Sequence, residues 1–176
     1  MLGAPVETIT GRLGVGSICF LAFFLAVDGM QIGVFNIVET YGNSVTFGIV
    51  ATLPTAVVAY ILGVFCFGTA DLVLSKFTAF QEPDPDKLLT LSNSGGDLLK
   101  QSYSETIRNL ELLKGSFVAF ILLAVGTVLD ASNMPGFELI VVLACISSIG
   151  LSALSLLFAR RAIVKAVRIS EVTFVE

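Results

Sequence analysis

Three aspartates stand at the edges of long apolar blocks and are the residues best placed to carry chemistry: Asp28, Asp71 and Asp130. Two aspartates facing each other within a membrane could act as general acid and base in peptide hydrolysis. That chemistry needs the pair inside helices, whereas these residues lie at block ends, and no Gly-x-Gly-Asp motif occurs. Asp28 remains a candidate functional carboxylate, with an ordinary position at the membrane interface as the alternative.

Other residues that commonly do chemistry are scarce. The chain has no histidine, which removes the commonest general base and metal ligand. Its cysteines, Cys19, Cys66 and Cys145, lie inside apolar blocks and form no CxxC motif, so we interpret them as small core residues. The sequence therefore predicts a protein that is not an enzyme, with no catalytic residue, no cofactor and no metal site.

The elements that would position these residues are membrane spans. Hydrophobic residues make up 55% of the chain and charged residues only 14%, against about 25% in a typical soluble domain. A helix needs about 20 apolar residues to cross the hydrocarbon core. Two blocks are shorter, so we extend the first past Asp28 and the third past Lys114, whose stem can snorkel. The first block lacks a small-residue cleavage site and is predicted to be a retained helix. Four spans are predicted, at residues 13–35, 47–70, 115–133 and 137–159.

The distribution of basic residues orients these spans. With four spans, all ten lysines and arginines fall on one side of the membrane. The positive-inside rule makes that side the cytoplasm. We therefore predict an all-α integral membrane protein of the inner (plasma) membrane, a single membrane domain over residues 1–176, made of two hairpins with both termini cytoplasmic. Residues 71–114 form a helical cytoplasmic connecting segment, and residues 160–176 a basic tail that touches anionic lipid.

The connecting segment contains one clear amphipathic helix. Asp97 is a plausible N-cap, and apolar residues follow at helical spacing up to the third span. This stripe either packs on other cytoplasmic residues or the bilayer surface, or docks a soluble partner or a second copy. Its members are Leu99, Tyr103, Ile107, Leu110 and Leu113.

The fourth span carries a seam of small residues. In lipid, helices associate through close contacts between small side chains and through hydroxyl hydrogen bonds. The seam is therefore predicted to pack helices, with a serine-lined pore in an oligomer as the alternative. Its members are Ala144, Ser148, Ser152, Ser155 and Ala159.

Three functions fit these features. The first is a membrane platform or sensor that forms homo-oligomers and recruits or regulates a soluble cytoplasmic protein. The second is a small oligomeric channel, and the third is a structural subunit of a larger membrane complex. The expected partners are the lipid bilayer, further copies of the chain and a soluble protein. No direct contact with nucleic acid is expected, because no clustered basic face of that kind is present.

The predicted layout of four spans with an intervening cytoplasmic segment resembles one family, the membrane subunit of the Kiwa anti-phage system of bacteria. The resemblance implies a tetramer that senses phage attack at the inner membrane and carries a soluble partner on its cytoplasmic side. It lies in the architecture and assigns no residue.

Overall fold

The computed structural model describes residues 3–32, 45–77, 97–131 and 138–172. Helix α1 is Gly3–Val27 and is followed by a π-helical turn, Asp28–Ile32. Helix α2 is Val45–Leu74, α3 is Asp97–Asp130 and α4 is Glu138–Val172. The ends of the predicted spans at 33–35 and 132–133, residues 78–96 of the connecting segment and the last four residues lie outside the described residues.

All four helices are long and apolar enough to cross a membrane, so the chain is a multi-pass helical membrane protein. Each predicted span lies largely within one of these helices. The helices are longer than the predicted spans because they continue past the apolar blocks. The stretches with membrane character are Ile9–Met30, Ala51–Leu74, Gln101–Asp130 and Leu139–Arg168.

Helix α3 joins the amphipathic helix of the connecting segment to the third span without a break. It begins at Asp97, where the sequence predicts a helix start, and ends at Asp130. At about 1.5 Å per residue its 34 residues extend about 51 Å, well beyond the roughly 30 Å hydrocarbon core. Helix α4, with 35 residues, is equally long, and the predicted tail continues it to Val172.

Helices α1, α2 and α3 pack against one another through glycines. A Cβ on Gly16 would overlap the carbonyl of Ala59 in α2, and one on Gly126 in α3 would overlap that of Ala22. Only glycine allows backbones this close, and such contacts hold helices together in lipid. Between the three helices lies a core of Val15, Cys19, Cys66 and Ala119.

Helix α4 packs along α3 and makes no comparably extensive contact with the other described elements. Cys145 lies beside Thr127, Ser152 faces Phe117, and Ala159 packs near Leu110. Contacts that advance along α4 go back along α3, so these two helices run antiparallel. The chain is a three-helix cluster with α4 attached to one side.

Candidate functional site

The ends of α1 and α3 bring two carboxylates together. Asp130 is 3% exposed, and its Oδ1 atom has no hydrogen-bond partner within the part of the chain that the structure describes. Asp28 begins the π-helical turn that follows α1, and the neighbouring Gly29 packs against the backbone of Leu129 and Asp130, which places Asp28 near Asp130. A buried carboxylate oxygen without a partner is costly, because nothing replaces the water that it has lost. We call this end of the molecule the acidic end.

The backbone at the acidic end is shaped by Gly29. A Cβ at this position would lie 2.5 Å from the carbonyl oxygen of Leu129 and 2.9 Å from the amide nitrogen of Asp130. The residue following Asp28 must therefore be glycine for α1 to approach α3 this closely. The same stretch forms the π-helical turn Asp28–Ile32, a rare element that is found frequently at functional sites.

The opposite end of α1 and α3 carries basic residues, and we call it the basic end. The Lys114 ammonium lies 3.4 Å from Asp71 Oδ1 of α2, and the Lys114 side chain is only 5% exposed. Lys114 therefore does not extend to an exposed interface, as its long stem suggested, because Asp71 provides an anionic partner within reach. Nearby, Arg12 donates a 3.4 Å hydrogen bond to the Tyr60 hydroxyl.

The two ends are separated by the same interval in both helices. Arg12 precedes Asp28 by sixteen residues in α1, and Lys114 precedes Asp130 by sixteen in α3. This interval corresponds to about 24 Å of helix, close to the thickness of the hydrocarbon core. Because α1 and α3 pack side by side, Arg12 and Lys114 lie at one end of this interval, and Asp28 and Asp130 lie at the other.

Beyond Lys114, the first turns of α3 and the last turns of α4 form what we call the stalk, residues 97–113 and 159–172. Leu110, Ala159 and Ile163 are buried between the two helices. Ile107 and Leu113 pack against this cluster from its edge, together with Ala162 and Val167.

This packing bears on the apolar stripe, for which the sequence leaves open both packing within the chain and docking of a partner. Tyr103 and Leu110 are buried within the chain, and Ile107 and Leu113 are partly buried. These four residues therefore offer no continuous apolar face to a partner, because α4 covers their side of α3. The side chain of Leu99 lies outside the described residues. The exposed side of α3 in the described part of the stalk is a polar strip of Gln101, Ser104, Glu105, Asn109 and Glu111.

The small-residue seam of α4 faces α3. Ser148, Ser152 and Ser155 are buried, and the Ser152 hydroxyl lies 3.4 Å from the Phe117 carbonyl oxygen of α3. Ala159 is also buried, and Ala144 is partly buried. The geometry favours helix packing over pore lining, because side chains covered by α3 cannot also face the axis of an oligomer.

The basic residues of α4 lie on the exposed side of the stalk. Arg160, Arg161, Lys165 and Arg168 surround a shallow, open depression together with Leu157 and Val164. The Arg161 guanidinium lies 5.8 Å from the centre of the Phe158 ring, a distance suitable for a cation–π contact. This face suits anionic head groups, as predicted for the tail.

The described residues contain no group of three or more side chains of the types that commonly bind metals. The sequence analysis did not predict the pairing of Asp28 with Asp130, or that of Lys114 with Asp71. The pairing of Asp28 with Asp130 has a signal in the sequence, because these residues follow Arg12 and Lys114 by the same interval of sixteen residues. No sequence signal linked Lys114 to Asp71, which lies 43 residues away.

The class of protein that this fold defines is therefore a multi-pass helical membrane protein with one acidic and one basic end. No family model, curated protein or solved structure matches the chain. Its function is therefore inferred from its own sequence and structure.

Proposed function

We propose that this chain is a non-enzymatic membrane platform that forms homo-oligomers and binds a soluble cytoplasmic protein through its stalk. The observation that carries the proposal is the length of α3. One helix runs from the acidic end to the far end of the stalk and exceeds the hydrocarbon core by about 20 Å. A rigid helix of this kind can transmit a change at one membrane surface to a protein bound beyond the other.

The proposed orientation places the stalk in the cytoplasm. All ten lysines and arginines lie at the basic end or in segments beyond it, under a topology of two hairpins with both termini inside. The acidic end then faces outwards, and the membrane is the inner (plasma) membrane of a bacterium. The exposed basic face of α4 would hold the stalk against anionic lipid head groups.

The polar strip of α3 is the proposed surface for the partner. It lies on the side of the stalk that α4 leaves open, and it offers amide, hydroxyl and carboxylate groups from five exposed residues. Polar surfaces of this type suit a regulated complex better than a permanent one. The apolar stripe stabilises the stalk from within.

The resemblance to the Kiwa membrane subunit extends this proposal to phage defence. In that setting the chain would respond to phage at the acidic end and regulate its soluble partner at the stalk. Loss of protection against phage when the chain is deleted from its native host, with rescue by the intact chain, would support this extension. Unchanged phage sensitivity would contradict the role in phage defence but would not contradict the platform function.

The platform is tested by purifying the tagged chain from its native host in mild detergent. The mass of the complex gives the number of copies, and mass spectrometry identifies what co-purifies. Ser104→Arg should abolish partner binding, because an arginine in the strip blocks a close polar contact. Ser75→Arg is the matched control. Both serines are exposed, and each donates to the carbonyl three residues earlier, Ser104 within α3 and Ser75 in the turn that follows α2.

Loss of one soluble protein in Ser104→Arg, and not in Ser75→Arg, would support the platform. A pure oligomer without any partner would contradict it. Co-purification of several membrane proteins in fixed amounts would favour the structural-subunit alternative instead. A channel would be indicated by ion flux in liposomes that contain the purified chain alone.

A further inference from the structure

We propose that Asp28 and Asp130 together bind a divalent cation of the oxygen-preferring type, such as Ca²⁺ or Mg²⁺, at the acidic end. The site would give the platform a ligand on the face opposite its stalk. Binding is tested on the purified chain without a partner, so a negative result there leaves the platform function untouched.

Asp130 is buried without a full set of hydrogen-bond partners in the described part of the chain. Its side chain is almost fully buried, and one carboxylate oxygen has no partner among the described residues. A carboxylate in this position needs either a proton or a positive charge nearby. No described lysine or arginine offers one, because Arg12 of α1 and Lys114 of α3, the basic residues of these helices nearest to the acids in sequence, precede Asp28 and Asp130 by sixteen residues.

A second carboxylate, that of Asp28, lies near Asp130. Asp28 precedes Gly29, which packs against the backbone of Asp130, and the two acids would repel each other if both were charged. The glycine after Asp28 removes the steric barrier to this approach, so the backbone is built to hold the acids close. A divalent cation between them converts the repulsion into attraction and supplies the missing partner of the buried oxygen.

The side chains at this site determine the chemical class of the ion. The proposed ligands are carboxylate oxygens, and the chain contains no histidine. Oxygen ligands select hard cations such as Ca²⁺ and Mg²⁺ over zinc or copper. Since the described residues contain no group of three or more metal-binding side chains, water must supply much of the coordination, as it commonly does for Mg²⁺. Weak binding follows, with a Kd on the order of 10⁻⁴–10⁻³ M, as in extracellular Ca²⁺ modules.

The test is equilibrium binding of radioactive Ca²⁺ to the full chain in nanodiscs of zwitterionic lipid at pH 7, with Mg²⁺ as competitor. We expect one saturable site per chain. Asp28→Asn and Asp130→Asn should each weaken binding at least tenfold, because each removes a charged ligand with little change in shape. Glu105→Gln, which neutralises an exposed carboxylate in the stalk, is the control and should bind as the unmodified chain does.

Asp28 is only half-buried, so Asp28→Asn keeps the test decisive if Asp130→Asn does not give a monodisperse protein. Absence of saturable Ca²⁺ or Mg²⁺ binding, or normal binding by Asp28→Asn, would overturn the proposal. So would a rise in unfolding temperature on acidification to pH 5 without any response to the cations, since the acids would then share a proton instead.

Discussion

The Lys114 ammonium lies 3.4 Å from Asp71 Oδ1, and the two partners differ greatly in exposure. The Lys114 side chain is 5% exposed and that of Asp71 is 61% exposed. The pair joins α3 to α2 at the basic end, where the sequence alone suggested only a snorkelling lysine. Because the lysine is the buried partner, the two residues should respond differently to substitution.

Asp71→Asn should lower the free energy of unfolding by about 1 kcal/mol, because it removes the negative charge that faces the buried Lys114 ammonium. The exposure of Asp71 and a further interaction of Lys114 keep the effect small. Lys114→Met should cost less, since it removes the buried charge and keeps an apolar stem. Unfolding by SDS in mixed micelles measures both. A larger loss for Lys114→Met than for Asp71→Asn would show that the pair itself stabilises the fold.

Gly16 and Gly14 offer a matched test of the contact between α1 and α2. A Cβ at Gly16 would overlap the Ala59 carbonyl, whereas one at Gly14 would have no described atom within 4 Å. Gly16→Val should therefore destabilise the chain by about 1–3 kcal/mol more than Gly14→Val, a typical cost of overpacking. The helix propensities of the two variants are the same, so their difference reports packing alone. Equal stabilities would contradict the close approach of α1 to α2.

Ser152 and Ser147 test the seam between α3 and α4. Ser152 is buried against Phe117, while Ser147 is exposed and donates to the Ala144 carbonyl of its own helix. Ser152→Leu should lower stability by about 1–3 kcal/mol, and Ser147→Leu should be close to neutral. Thermal unfolding followed by size-exclusion chromatography measures the difference. If Ser152→Leu instead changed ion flux in liposomes and left stability unaltered, the seam would line a pore.

Cys19 and Cys66 test the core between α1 and α2. Cys19 and Cys66 are free thiols buried in the same core cluster, whereas Cys145 lies beside Thr127. Treatment of membranes with copper phenanthroline, which supplies the oxidant, should join Cys19 to Cys66 within one chain. Cys145 should remain available to an alkylating reagent, and mass spectrometry distinguishes the two. Linkage between chains through Cys19, or alkylation of all three cysteines, would contradict this core.

The membrane class and the approximate positions of the spans could be predicted from the sequence. Long uncharged blocks give a local signal, because a helix must satisfy its own backbone within lipid. The continuity of α3 was also predictable, because the apolar residues keep helical spacing from Asp97 to the third span and no proline interrupts them. Small-residue spacing likewise indicated that the α4 seam packs against another helix.

Which surfaces meet could not be predicted in this way. The sequence shows that Leu110 and Tyr103 share a face, but only the tertiary structure shows that α4 covers Leu110 with Ala159 and Ile163. The pairings of Asp28 with Asp130 and of Lys114 with Asp71 also depend on contacts between helices distant in the chain. Hydropathy and periodicity are properties of one helix at a time, whereas these contacts are set by how glycines such as Gly29 let two backbones approach.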